Sequence, residues 1–161
     1  MRPAEPLPLN HSWPLFDLHA HLAPLTSDGR LLRDEHALAD MGIGQWHCDL
    51  AGDRLSWTSG VYDLFGLDRN MTVPRPLAVS LYVPDSREAM EQLRAYAIRY
   101  RRGFTLDMDI RPLGSGGRTI RLVAAPILQN DQVVALHGMK RLLPRGAGIS
   151  PRQEPALLPP P

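Results

Sequence analysis

The sequence predicts an α+β domain built on an antiparallel sheet. Three observations predict it. A helical recurrence of apolar residues between Pro84 and Arg102 gives way at Phe104 to strict alternation. The segments "AGD", "GSGG" and "QNDQ" join strand-like stretches and are too short for the crossover that a parallel pair needs. At 161 residues with 43 % apolar side chains, the chain can bury one core.

Both ends are rich in proline, which donates no backbone hydrogen bond and resists helix and central strand. The expected division is an N-terminal extension over 1–30, an ordered domain over 31–143 and a proline-rich tail over 144–161. In "RLLRDEHALADM", Leu31, Leu32, Leu38 and Met41 share one side of a helix that stops at Gly42. "IGQWHCDL" and "RLSWTS" then form a hairpin through "AGD". "GVYDLFGL" reads as a short helical turn and "RNMTVPRPL" as a proline-broken loop. From Pro84 to Arg102, Met90, Leu93, Ala97 and Tyr100 form an apolar stripe widened by Ala89 and Tyr96. Asp85 and Glu88 mark its start and Gly103 its stop, with Arg87, Glu91 and Arg94 on a solvated outer face. "FTLDMDIR", "RTIRLVAAPIL" and "VVALHGMKRL" are the closing strands; the first sets Phe104, Leu106, Met108 and Ile110 against Thr105, Asp107, Asp109 and Arg111.

A formal charge of +1 gives no basic surface for nucleic acid. Cys48 is the only cysteine, which excludes an internal disulfide and suits a reducing compartment. No apolar run approaches a membrane span and no signal segment opens the chain, so a soluble cytoplasmic protein is expected. Every basic residue but Lys140 is arginine, which points to a GC-rich bacterial source.

Three motifs invite chemistry. Asp17, His19 and His21 match the opening Asp-x-His-x-His run of metal-dependent barrel hydrolases, but such a barrel needs about 200 residues. The run would also have to be extended to send both histidines to one side. "GSGGRT" lacks the Gly-Lys-Ser/Thr ending of a phosphate loop and is followed by strand, so it is a turn. His47 and Cys48 are adjacent on a strand and face opposite ways, so they form no dyad, and Cys48 reads as a small buried apolar residue.

The stretch "ALADMGIGQWHCDLAGDRLSWTSGVYDLFGL" resembles the opening of a bacterial sensory PAS domain of the sensor-kinase type. Gly42, Ile43, Gly44, Trp46, Asp49, Leu50, Trp57, Tyr62, Leu64, Phe65, Gly66 and Leu67 carry the likeness. "VPDSRE" is similar to the family's entry into its long helix, and "FTLDMDIR", "GGRTIRLV" and "VVALHGM" to its last strands. Leu122 stands where this branch usually has Trp, Val83 replaces a His and Ser86 an Asp. Leu142, Leu143 and Pro144 replace the usual Asp-Ile-Thr exit.

The resemblance implies a five-stranded antiparallel sheet cupping a cavity under the helices, with an N-terminal helical extension. It implies a non-catalytic sensory or interaction module that dimerises, with helix 31–41 as the candidate contact. A signalling partner protein is implied but not identified; no nucleic acid or membrane is. The candidate cavity residues are Trp46, Trp57, Phe65, Leu93, Met108, Leu122 and Lys140. No Asn-Cys-Arg motif supports flavin and no histidine lies in 84–102 to ligate haem, so both are disfavoured; His47 and His137, on neighbouring strands, leave one other haem geometry. The register of the last strand decides one more point. If Gly138 faces the cavity, so does Lys140, and an unpaired ammonium among apolar walls favours a carboxylate or phosphate ligand; if His137 and Met139 face inward, Lys140 is a surface cation. The competing readings are a small metal-dependent hydrolase using His19 and His21, and a ligand-free adaptor. Phe16, Leu18 and Leu22 are expected to dock the extension onto the domain or a second subunit.

Overall fold

The computed structural model describes residues 11–22, 26, 27, 30, 31, 34–112, 114 and 116–144. In chain order these form β1 (Ser12–Pro14), a 3-10 turn (Leu15–Asp17), α1 (Leu18–His21), β2 (Thr26–Ser27), β3 (Arg30–Leu31) and α2 (Glu35–Asp40). Next come β4 (Ile43–Asp49), β5 (Arg54–Trp57), α3 (Ser59–Phe65), α4 (Arg75–Ser80) and α5 (Pro84–Tyr100). The chain closes with β6 (Arg102–Ile110), β7 (Arg118–Gln129) and β8 (Gln132–Leu142). Every pairing in the main sheet is antiparallel, in the order β1-β6-β7-β8-β4-β5. The class is therefore α+β as expected, with six strands instead of five because the N-terminal segment adds β1 to the open edge of β6.

Alternation sorts the sheet residues onto two faces. Phe104, Leu106, Met108 and Ile110 of β6 point toward α3, α4 and α5, with Leu122 of β7, Leu136 of β8 and Trp46 and Cys48 of β4. Helix α5 closes this core with Met90, Leu93 and Ala97, while Tyr100, expected in the stripe, is half exposed. On the opposite face Ile43, Val123, Ala125 and Met139 are covered by Trp13, Leu22 and Leu38, with Leu15 and Leu18 packed alongside. Leu18 and Leu22 thus dock the N-terminal segment as expected; Phe16 is 86 % exposed and takes no part.

Three boundaries differ from expectation. The helix foreseen over 31–41 spans only Glu35–Asp40, because the Asp34 carboxylate accepts the Ala37 N–H and sets the start; Leu31 belongs to β3 and Met41 is exposed. Leu32 lies outside the described residues. In the foreseen loop, α4 begins at Arg75 behind Pro74, with Pro76 in its first turn where a missing N–H costs nothing. Helix α5 ends at Arg101, which takes a left-handed φ of 57°, and not at Gly103. Gly103 is already in β6, where the Trp13 ring lies where a β-carbon would stand.

Candidate functional site

Antiparallel register places the site. On β8, Gly138 stands opposite Trp46 and Ala124, and Lys140 opposite Leu122 and Gly44. Gly138 and Lys140 therefore face the helices, while His137 and Met139 face the other way. Lys140 is only 5 % exposed. Its ammonium lies 5.1 Å from the ring centre of Phe65, 5.5 Å from those of Trp46 and Trp57, and 5.7 Å from that of Tyr82. It also donates a hydrogen bond to the Tyr82 hydroxyl at 3.1 Å. Four π faces around a desolvated cation are each worth up to about 2 kcal/mol, which offsets part of the cost of burying the charge.

Local sequence builds this cage. Trp46 and Trp57 are cross-strand partners in the β4–β5 hairpin. Phe65 stacks on Trp57 at 5.2 Å from the last turn of α3, which Gly66 ends in a left-handed conformation. Tyr82 sits in the three-residue link between α4 and α5. It is held by a bridge to Ile110, by the Val83 N–H to the Asp109 carbonyl and by the Arg111 N–H to the Leu81 carbonyl. Arg87 steadies the same link by donating to the carbonyls of Val79 and Tyr82.

Beside the ammonium lies a cavity of about 50 Å³. Its walls include Trp46, Cys48, Tyr82, Met90, Phe104, Leu122, Leu136 and Lys140. The partly exposed Leu55, Arg75, Val79 and Arg94 form its rim. Burial pushes the Cys48 thiol up, and nearby Arg94 counters this only in part, so Cys48 stays protonated at neutral pH. Arg75 pairs with Glu91, and Arg94 with Asp53 at 3.0 Å. Lys140 has no ion pair among the described residues. The indole N–H groups of Trp46 and Trp57 are buried and meet no acceptor there.

Of the seven expected cavity residues, Trp46, Leu122 and Lys140 line the cavity, and Trp57 and Phe65 complete the cage around the ammonium. Leu93 and Met108 belong to the packed core and do not line it. Tyr82, Arg75 and Arg94 also line the cavity and were not among the expected cavity residues. The expectation of a solvated face for Arg87, Glu91 and Arg94 is corrected, because all three are partly buried and bond outside α5: Arg87 and Glu91 to α4, and Arg94 to Asp53 in the β4–β5 turn. Arg94 carried one usable signal, a spacing of four from Met90 that puts it one turn along the same side of α5.

The Asp17/His19/His21 run does not gather. It is coiled and not extended: His19 is exposed, and His21 stacks on Trp13 at 4.0 Å. Among the described residues no three His, Cys, Asp or Glu side chains are grouped as metal ligands. Nor do the residues fit flavin or haem. The single cysteine is on a strand beside a cavity far smaller than a tricyclic ring, and His47 and His137, paired across β4 and β8, lie on the sheet face away from it. No helix among the described residues is long and apolar enough to cross a membrane.

No protein-family model matches the chain, and no curated protein matches its sequence. Solved structures do. A sensory box histidine kinase/response regulator from Burkholderia thailandensis superposes with a TM-score of 0.58 at 14 % identity, over 76 % of this chain and 90 % of that one. The PAS domain of a Colwellia psychrerythraea protein gives 0.56 at 20 % identity, over 68 % and 93 %. An RNA-binding light-oxygen-voltage receptor gives 0.57 at 14 % identity over 69 % of this chain, which spans only 33 % of that receptor. The antiparallel sheet, the helices α3, α4 and α5 on one of its faces and these superpositions together establish that the chain has the PAS fold.

Proposed function

We propose that this chain is a PAS-type sensory and protein-interaction module of bacterial signal transduction. It reads a small organic molecule in the cavity and acts as a cytoplasmic homodimer toward a signalling partner protein. It is not a catalyst. The sensing unit is residues 31–143, the 1–30 extension is folded onto it through residues 12–22, and 144–161 is a linker or tail. The observation that carries this reading is the cavity itself. The buried Trp46 indole N–H, without an acceptor among the described residues, and an ammonium with one hydrogen-bonding partner there border a space under the helices, and a packed core would have closed such a space. The solved structures with this fold include a sensor kinase and a diguanylate cyclase sensor, which supports the signalling assignment.

Two measurements test it. Native mass spectrometry of the purified chain is expected to show twice the 17.9 kDa chain mass plus a small retained adduct. Met41→Glu, at the exposed end of α2, is expected to return the mass to that of one chain. A monomeric wild-type chain would refute the dimer, and a ligand-free spectrum from gently purified protein would favour the adaptor reading.

A further inference from the structure

We propose that the cavity is a receptor site for a short-chain monocarboxylate. The carboxylate is held by Lys140 Nζ with the Trp46 indole N–H, and the hydrocarbon end lies against the apolar wall. This rests on the reading that the cavity takes a ligand, and it names the class.

Charge comes first. The cavity lining contains three cations and no carboxylate. Arg75 and Arg94 are neutralised from outside by Glu91 and Asp53, which leaves Lys140 as the cation without an acidic partner among the described residues. An ammonium carries three donors, and one is used, on Tyr82. The aromatic faces accept part of the charge but leave the other two N–H groups without an oxygen among the described residues. A second, independent observation is the Trp46 indole N–H, on a residue that is 91 % buried and lines the same cavity, with no acceptor among the described residues.

Size and polarity narrow the class. A water needs roughly 10–15 Å³ of such space, so about 50 Å³ admits a molecule of only a few heavy atoms. Nucleotides, sugar phosphates and aromatic acids are too large. Leu122, Leu136, Met90 and Phe104 offer nothing to the far side of an inorganic anion but suit a hydrocarbon tail. One charged head and a tail of about two to four carbons satisfy both walls. The choice of lysine fits this, since all the other basic residues are arginine, whose planar fork is larger than the caged ammonium.

Because Lys140 is the only lysine, ¹⁵N-lysine labelling of the full chain gives a single side-chain ammonium signal. Butyrate and propionate at millimolar concentration are expected to shift that signal saturably and to change tryptophan emission. Butyramide is expected to bind at least about tenfold more weakly. Chloride and inorganic phosphate at matched ionic strength are expected to leave the signal in place. Lys140→Met should weaken butyrate binding by at least about tenfold while circular dichroism is unchanged. Leu122→Trp keeps the ammonium but fills the space, and it should abolish binding too, which decides the matter even if Lys140→Met fails to fold.

Equal binding of butyramide, or undiminished butyrate binding by Lys140→Met, would overturn the anion assignment and leave a ligand-reading cavity intact. Chloride or phosphate binding as well as butyrate would overturn the carboxylate assignment. If neither charged nor neutral probes bind the wild-type chain, the carboxylate proposal falls, while the ligand-reading function stands or falls separately with the retained adduct in native mass spectrometry.

Discussion

Tyr82 ties the caged ammonium to the rest of the molecule through one hydroxyl, so its removal isolates a single interaction. Tyr82→Phe keeps the ring over Lys140 and deletes its hydrogen-bonding partner; it is expected to cost about 1–3 kcal/mol in urea unfolding. A cost near zero would mean that the π faces alone satisfy the charge. The inward set Trp46, Trp57 and Phe65 was within reach of sequence, but the inward face of β8, and with it the placement of Lys140, was not. Leu136, Gly138 and Lys140 face one side and His137 and Met139 the other, and both sides are covered, so alternation of apolar and polar residues could not choose between them. Tyr82 escaped for a different reason. A residue in a short link between two helices has no period, and only the strand bridge to Ile110 shows where it points.

At the scale of elements, β1 is three residues long yet organises the open edge of the sheet. Its Trp13 is 5 % exposed, donates to the Thr105 hydroxyl at 2.9 Å, stacks on His21 and lies over Gly103. Trp13→Ala is expected to cost about 3–5 kcal/mol, read as a lower urea midpoint. Gly103→Ala should destabilise by displacing the same ring, although its φ is unremarkable for any residue. A tryptophan between prolines 8 and 14 reads as tail chemistry, which is why sequence placed it outside the core. The end of α5 was misread through the same contact. Gly103 is needed under a ring in β6, and Arg101 takes the left-handed turn in its place.

For the whole molecule, a sheet covered on both faces makes the outer layer sensitive to acid. His137 lies beside His47 across the strands; burial and that neighbour hold its pKa below the ordinary 6.5. Burial also depresses His21, against the opposing pull of Asp17. The unfolded chain therefore takes up these protons first. Stability is full above about pH 6.5 and falls as the pH drops from there through the depressed folded values. His137→Gln should flatten that part of the profile, measured as thermal midpoint against pH. An unchanged slope would assign the loss to other groups, such as Glu35, whose carboxylate is held low by Ser59 and would act in a more acidic window.

The burial of Lys140 also changes what the surface offers to reagents. Amine-directed acylation of this sequence has one ε-amino target, and in the closed fold that nitrogen lies behind four aromatic rings. Its rate of acylation becomes a clock for how often the helices lift from the sheet, a built-in gauge of breathing that requires no introduced label.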